Sequence, residues 1–393
     1  MIALPLLLAA AASQVPGCEG EATSGRRARL ERLCPGERFH ILQLGDSHTA
    51  GDMITQPLRR LLQLRFGAGG RGVLAPGRPY PGYLTFGVTA TQGGPWSVSA
   101  IFGPDFSGAR PVGLGGYTLT SGGAGASIGL TSDDESSRFD RIVVCALREP
   151  GAGTLRLRLG EREQDWALAS PRREAACRTL DSDGPADSAS LAARDERAIS
   201  VTSFATFRRA GGVVVSNLGV SGSQLAHLSR EHEAVVRAEL DAYRPDLLVL
   251  AFGTNEAFAP RFDADAYERE LRRGIARLRR LAGAELPILL AAPPDAATRN
   301  TALAANGGLP VRTCGAGLYA PTALDRVRDR QRLVAQDLGL GFLDSRAAMG
   351  GPCAAPAWAA RGWMRADLVH FTRDGGEQIG WMFAAALLQP GTR

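Results

Sequence analysis

Short, continuous runs of apolar residues alternate with helical patterns near both ends of this chain. The runs cover residues 39–44, 213–215, 247–252, 288–290 and 341–343. A strand that is apolar on both faces must be buried on both faces, which is typical of a parallel sheet with helices on either side. The sequence therefore predicts an α/β fold built on a three-layer α/β/α parallel sheet.

The middle of the chain has a different pattern. Short alternating runs are separated there by turn residues, for example at residues 83–88 and 154–159. Many short strands with such turns are typical of a β-sandwich. A chain of 393 residues is also longer than one ordinary domain. We therefore expect an all-β sandwich domain over residues 67–210, inserted into a discontinuous α/β domain of residues 21–66 and 211–393.

Residues 1–20 predict a secretory signal peptide. An apolar core of about a dozen residues is followed by small residues, and this core is shorter than the roughly 20 residues that span a bilayer. Removal of the segment would leave no stable membrane span. We therefore expect a periplasmic or secreted protein.

The chain has six cysteines, which favours disulfides in an exported protein. Spacing alone does not fix the connectivity, and buried free thiols are the alternative. No two cysteines have the spacing of metal ligands, so no zinc site is expected. The pairing that we expect joins sequence neighbours: Cys18–Cys34, Cys145–Cys177 and Cys314–Cys353.

Charge and residue content exclude several classes of function. All 45 basic residues are arginine, and a chain without lysine has no Schiff-base or lysine-nucleophile chemistry. The net charge of +5 is spread along the chain, and no basic block indicates nucleic-acid binding. An arginine-rich coding bias explains this charge, and attraction to an acidic polymer such as a cell wall is the alternative. No cofactor is predicted.

A serine on a tight turn is the main candidate for chemistry. Ser47 lies in the run GDSHTAGD, directly after the first apolar strand, and a remote Asp367 stands three residues before His370. A serine hydroxyl needs a base, and the base needs a group that orients it. We expect Ser47 as nucleophile, His370 as base and Asp367 as its orienter on a helical turn. A helix cap for Asp367 and a buried structural role for His370 are the alternatives.

Acyl transfer also requires hydrogen-bond donors for an oxyanion. The N–H of Ser47, Gly222 in SNLGVSG and the side-chain amide of Asn255 in GTNE all follow apolar strands. We expect these three to form the oxyanion hole, although plain turn roles are possible for Gly222 and Asn255. Asp52 and Glu256 suggest glycoside hydrolysis only weakly, because nothing places them across a shared bond.

Four blocks of this sequence together resemble the SGNH (GDSL-type) hydrolase family. They occur in the family's order as GDSH at 45–48, SNLGVSG at 216–222, GTNE at 253–256 and DLVH at 367–370. The resemblance implies a flavodoxin-like core, Ser47 as nucleophile, Gly222 and Asn255 as oxyanion donors, and no cofactor. It implies His370 as base with Asp367 as its orienter. The fourth residue of the first block is His48 and not leucine, and we interpret it as a packing or supporting residue.

Within that family, GDSHTAGD followed by an insert of roughly 140 residues is similar to the peptidoglycan O-acetylesterases. This resemblance implies a periplasmic esterase that removes acetyl groups from an acetylated cell-wall polysaccharide, with an insert resembling a carbohydrate-binding module. The insert has no clear aromatic platform. A polysaccharide O-acetyltransferase on the same site, a small-ester lipase or thioesterase, and a non-enzymatic wall-binding protein remain alternatives.

Overall fold

The computed structural model describes residue 30, residues 33–306 and residues 308–388. The expected signal peptide and Cys18 lie outside these residues.

Strands and helices alternate at both ends of this described part, and strands dominate its middle. The strands are β1 (Arg38–Gly45), β2 (Gly72–Leu74), β3 (Val88–Gly93), β4 (Trp96–Ala100), β5 (Tyr117–Ser121), β6 (Ser127–Ser132), β7 (Phe139–Arg148), β8 (Thr154–Leu159), β9 (Arg162–Ala167), β10 (Glu174–Ala186), β11 (Ser188–Ala193), β12 (Ser200–Phe207), β13 (Gly212–Gly219), β14 (Leu247–Ala251), β15 (Ile288–Ala292), β16 (Arg312–Thr313), β17 (Tyr319–Ala320) and β18 (Gly341–Asp344). The helices are α1 (Ser47–Ala50), α2 (Thr55–Phe66), α3 (Glu233–Tyr243), α4 (Thr254–Ala257), α5 (Ala264–Ala282), α6 (Thr301–Ala305), α7 (Ala323–Leu338), α8 (Ser345–Met349), α9 (Ala354–Ala360) and α10 (Arg373–Leu388).

The apolar runs form one parallel sheet with the strand order β13–β1–β14–β15–β18. Successive residues of a strand point to opposite faces. Ile41 and Val249 pack with helices α2 and α10 on one face, whereas Leu42 and Leu248 pack with helices α3, α5 and α7 on the other. The predicted three-layer α/β/α architecture is therefore confirmed.

Three strands of this sheet bring the candidate blocks to one edge. In the parallel register, Gly45 at the end of β1 lies beside Gly219 of β13 and Ala251 of β14. The segments that follow these three strands therefore start side by side, as expected at the carboxyl ends of strands in a doubly wound sheet.

The middle of the chain forms two antiparallel sheets. One follows the order β10–β7–β12–β5–β4 with β2 beside β12, and the other follows β3–β6–β11–β8–β9. Leu119 and Val144 of the first sheet pack in one core with Leu130 and Leu157 of the second, which is the arrangement of a β-sandwich. The predicted extra all-β region is confirmed, and its domain boundaries at residues 67 and 210 stay predictions.

Two of the expected disulfides are present. Cys145 of β7 and Cys177 of β10 face each other in the antiparallel register and are bonded. Cys314, in the turn between β16 and β17, is bonded to Cys353 immediately before α9. These two pairings are confirmed, whereas the third includes Cys18, outside the described residues.

Candidate active site

Ser47 is the first residue of helix α1 and follows β1 after a tight turn. Asp46 caps this helix, because its Oδ1 accepts a hydrogen bond from the His48 N–H at 3.0 Å. The turn requires Gly45, since a Cβ at that position would lie 2.2 Å from Thr49 Oγ1. The first N–H of a helix has no carbonyl partner within the helix. The backbone donor of Ser47 is therefore left for another acceptor.

Ser47, His370 and Asp367 form a continuous hydrogen-bonded chain. Ser47 Oγ lies 2.9 Å from His370 Nε2, and His370 Nδ1 lies 2.9 Å from Asp367 Oδ2. A carboxylate only accepts hydrogen bonds, so it fixes the proton of a neutral His370 on Nδ1. His370 Nε2 is then free to accept the proton of the Ser47 hydroxyl, which is the geometry that activates a serine.

The turn that carries Asp367 and His370 is not helical, and that part of the expectation was wrong. Helix α10 begins only at Arg373, and Leu368 has a φ of 58°, in the left-handed region that non-glycine residues rarely occupy. Asp367 Oδ1 accepts the N–H groups of Val369 and His370, both at 2.9 Å. Asp367 therefore caps this turn with one oxygen and contacts the imidazole with the other.

The charge of Asp367 is favoured by the same contacts. Burial alone raises the pKa of Asp367, but the hydrogen bonds from His370 and Val369 outweigh burial and hold that pKa below its usual value. The side chains remain partly open, with 46% of Asp367 and 37% of His370 exposed. Asp367 is therefore ionised at neutral pH, and water reaches the imidazole.

Gly222 and Asn255 follow β13 and β14, the two neighbours of β1. The Val220 N–H donates to the Gly45 carbonyl at 3.0 Å, which holds residues 220–224 (the Gly222 loop) against residues 45–47 (the serine turn). Asn255 Nδ2 donates to the Ser223 carbonyl at 2.8 Å. An amide group carries two hydrogens, so this bond leaves the second one for another acceptor. The two expected donors thus lie beside Ser47, Gly222 on the loop after β13 and Asn255 in helix α4 after β14.

Glu256 joins helix α4 to the segment after Gly222 by a contact that the sequence did not reveal. Its side chain is buried, and Oε1 accepts the Leu225 N–H at 2.7 Å. Gln224 Nε2 adds a weaker bond to the Asn255 carbonyl at 3.3 Å. Burial raises the pKa of Glu256 to about 7, although the Leu225 N–H opposes that rise.

Asp52 is fully buried below the serine turn and takes part in a charged cluster. Its oxygens accept from Arg59 Nη2 at 2.8 Å and from Arg71 Nη2 at 3.0 Å. Arg71 also donates to Asn217 Oδ1 at 2.7 Å, and Asn217 Nδ2 donates to the Thr49 carbonyl at 2.9 Å. This cluster joins the serine turn, strand β13 and the inserted region. Asp52 is thus committed to structural contacts, and it lies between helices α1 and α2, whereas Glu256 lies in helix α4.

Aromatic residues of the inserted region lie against the segment of residues 222–230. Phe102 stacks on His227 with ring centroids 4.5 Å apart, and its Cε1 would lie 2.9 Å from a Cβ at Gly222. Phe106 is 44% exposed, and the Arg230 guanidinium carbon lies 4.5 Å from its ring centroid. The inserted region therefore forms part of the wall beside the candidate site.

Within the described residues, no group of three or more histidine, cysteine, aspartate or glutamate side chains is placed to hold a metal ion. In the same part of the chain, no helix combines the length and apolar character needed to cross a bilayer.

The chain is similar to a known protein family and to several solved structures. A family model described as GDSL-like lipase/acylhydrolase matches residues 190–377, a stretch without Ser47. A solved structure of a peptidoglycan O-acetylesterase is similar over 94% of this chain and 96% of its own, with 26% sequence identity and a TM-score of 0.75. A lipase/acylhydrolase from Enterococcus faecalis is 21% identical over 46% of this chain and 80% of its own, with a TM-score of 0.33. A family two carbohydrate esterase from Clostridium thermocellum, in complex with cellohexaose, is 12% identical over 80% of this chain and 98% of its own, with a TM-score of 0.31. No curated protein sequence matches the chain.

Proposed function

We propose that this chain removes O-acetyl groups from a cell-wall polysaccharide by way of an acetyl-serine intermediate. The chain belongs to the GDSL-like lipase/acylhydrolase (SGNH) family and is a carboxylic-ester hydrolase. The observation that carries the proposal is the hydrogen-bonded chain from Ser47 through His370 to Asp367, with two distances of 2.9 Å. Peptidoglycan is the polymer that we propose, because the similar O-acetylesterase structure extends over nearly the whole of both chains.

The proposed reaction has two steps that share one base. In the first, Ser47 Oγ attacks the acetyl carbonyl, His370 Nε2 takes the hydroxyl proton, and Asp367 stabilises the imidazolium that forms. The C–O bond to the sugar breaks, and His370 returns the proton to the leaving sugar hydroxyl. In the second, His370 takes a proton from water, the hydroxide attacks the acetyl-serine, and acetate leaves as Ser47 regains its proton.

Three donors are proposed to stabilise the negative oxygen that develops in both steps. They are the N–H of Ser47, the N–H of Gly222 and the side-chain amide of Asn255. The contacts between the Gly222 loop, the serine turn and Asn255 support this assignment because they hold the donors in place before the substrate arrives. Such preorganised donors often contribute about 3 kcal/mol each to transition-state stabilisation.

The polysaccharide substrate is supported by the wall that the inserted region contributes. Phe102 lies at Gly222, and the exposed Phe106 lies beside the Arg230 guanidinium. Aromatic faces together with a guanidinium suit a sugar polymer that carries carboxylates. An oxidising compartment such as the periplasm is supported by the Cys145–Cys177 and Cys314–Cys353 disulfides.

The exposure of the base His370 favours hydrolysis over transfer of the acetyl group to another sugar. A transferase must keep water from the acyl-enzyme, whereas about a third of the His370 side chain is open to solvent. Incubation with an acetyl donor and chito-oligosaccharides distinguishes the two reactions. Free acetate as the only product supports the hydrolase, and acetylated oligosaccharide supports the transferase.

The experiment that tests the proposal is acetate release from O-acetylated peptidoglycan. We expect the rate to fall by at least about a thousandfold in Ser47→Ala, and we expect a fluorophosphonate probe to label the original chain at Ser47 but not this variant. Full activity or unchanged labelling in Ser47→Ala contradicts the serine mechanism. A preference of the original chain for nitrophenyl esters with acyl chains longer than about four carbons would instead support a lipase or thioesterase.

A further inference from the structure

We propose that His48 is a positioning residue that keeps the base His370 in place, above all while Ser47 is acylated. This inference rests on the proposed serine mechanism. Ser47 and His48 are adjacent in the chain, and they contact residues that are also adjacent. Ser47 Oγ meets His370 Nε2 at 2.9 Å, and His48 Nε2 meets the Val369 carbonyl at 3.0 Å.

The protonation state of His48 follows from these contacts. A carbonyl oxygen can only accept, so Nε2 of His48 carries the proton and donates it to Val369. Burial lowers the pKa of His48, and this effect exceeds the opposing attraction of Asp46. His48 is therefore a neutral donor at neutral pH. A neutral ring is required next to His370, because a second positive charge would oppose the imidazolium that forms in each step.

The ring of His48 also packs directly on the base. Its centroid lies 5.4 Å from that of His370 at an interplanar angle of 29°, and the centroid of the Phe371 ring lies 5.5 Å from that of His48. Only 8% of His48 is exposed. The hydrogen bond and the ring contact together fix both the backbone and the imidazole plane of the residue pair Val369–His370.

The need for such a contact follows from the turn that carries the base. Within the turn, Asp367 bonds to Val369 and His370, but these bonds do not tie the turn to the serine. The Leu368 carbonyl accepts the Ala297 N–H at 3.0 Å, which ties the turn to the segment that follows β15. Among the described residues, two hydrogen bonds join the turn to helix α1: Ser47–His370 and His48–Val369.

Only one of these two contacts persists through the reaction. When Ser47 Oγ is bonded to the acetyl group it has no proton to donate, so its hydrogen bond to His370 is lost until acetate leaves. The His48–Val369 bond is untouched by the chemistry. Deacylation should therefore depend on His48 more than acylation does.

The test compares a variant that keeps the ring with one that keeps the donor. His48→Phe preserves the stacked ring without a donor, and His48→Gln replaces Nε2 with an amide N–H of similar reach. Because a displacement of about 1 Å can cost about a hundredfold in rate, we expect kcat for nitrophenyl acetate to fall at least tenfold in His48→Phe. We expect kcat/KM, which reports acylation, to fall by a smaller factor, and acetyl-enzyme to accumulate in the mass spectrum. His48→Gln should recover most of kcat.

The outcomes separate this inference from the proposed function. Three results overturn the role of His48 and leave the serine mechanism standing. They are a His48→Phe variant with the kcat of the original chain, an equal loss of kcat in His48→Phe and His48→Gln, and an equal fall in kcat and kcat/KM in His48→Phe. An original chain that releases no acetate and is not labelled at Ser47 overturns both. If His48→Phe does not fold, judged by its thermal unfolding, the smaller His48→Leu takes its place in the same comparison.

Discussion

The substitution Asp367→Asn tests the hydrogen-bonded chain most directly, because the surrounding contacts dictate how the new amide must lie. In the native turn, Oδ1 of Asp367 accepts the N–H groups of Val369 and His370, and Oδ2 faces His370 Nδ1. An asparagine must keep its oxygen toward the two backbone N–H groups. Its NH2 group then faces His370 Nδ1 and donates to it, so the imidazole proton moves to Nε2, where the Ser47 hydroxyl needs an acceptor.

The size of the effect can be bounded from the same contacts. Turning the amide over would restore an acceptor for His370 but would break two backbone hydrogen bonds, which contribute about 1 kcal/mol each. A preference of about 2 kcal/mol leaves roughly one molecule in 30 with the active tautomer. A full loss of tautomer control costs about ten-thousandfold in a serine protease triad. Because Asp367 is 46% exposed and water competes for its contacts, we expect a loss nearer the lower bound.

The assay is hydrolysis of nitrophenyl acetate together with the rate of labelling by a fluorophosphonate. Asp374→Asn is a matched control, because it makes the same change of charge at an exposed position in the first turn of α10. We expect kcat/KM and labelling to fall at least about thirtyfold in Asp367→Asn and less than about twofold in the control. A folded Asp367→Asn variant that keeps more than a tenth of the activity would refute the tautomer argument.

Two further predictions concern stability. Arg71→Met removes one of two arginines from the buried Asp52, so we expect it to lower the free energy of unfolding by about 2–4 kcal/mol in urea titrations. The control Arg162→Met breaks an exposed ion pair and should lower it by less than about 1 kcal/mol. Similar losses in the two variants would contradict the importance of burial. Burial raises the pKa of Glu256 from 4.5 to about 7. Between these pH values the folded state keeps a proton that the unfolded state has released. The free energy of unfolding should therefore fall by up to about 3 kcal/mol as the pH rises through this window. Glu256→Gln keeps the oxygen that accepts the Leu225 N–H but does not titrate. The difference between the unfolding free energies at pH 4.5 and pH 7.5 should therefore be smaller in this variant. An unchanged difference would assign the pH dependence to other groups.

The parallel sheet was predictable because burial on both faces leaves a direct mark on the sequence. Residues 247–251 are apolar at every position, and alternate side chains such as Leu248 and Val249 are used by different cores. The candidate triad was predictable for a different reason. Ser47 directly follows strand β1, and Asp367 and His370 lie far downstream, in the block order of a known family.

The local geometry of the site was less predictable, because spacing does not determine conformation. Three residues from Asp367 to His370 suit a helical turn, but Leu368 adopts a left-handed φ and the helix starts later, at Arg373. Nothing in the sequence signals this, because leucine is not a residue that favours positive φ. The turn exists because contacts with Ala297 and His48, both remote in sequence, hold its carbonyl groups.

Buried polar contacts between distant segments were the least predictable part. In a chain whose 45 basic residues are all arginine, Arg71 cannot be told by type from an arginine on the surface, yet it is 2% exposed and bonded to Asp52. Likewise, Glu239 has the appearance of a helix-surface residue but is fully buried. Its Oε1 accepts the hydroxyl protons of Thr202 at 2.8 Å and Ser203 at 2.7 Å.

These contacts change how the inserted region should be understood. A detachable binding module would meet the α/β core through a hydrated surface, whereas here Val73 and Phe207 of the inserted region lie in the same hydrophobic core as Leu42 of β1 and Leu240 of α3. Excision of the inserted strands would expose that core, leave Glu239 without its hydroxyl donors, and remove Arg71 from Asp52 directly below the serine turn. Because burial of an unpaired carboxylate is strongly destabilising, the α/β layers depend on the inserted strands for their own stability, and the serine turn depends on both.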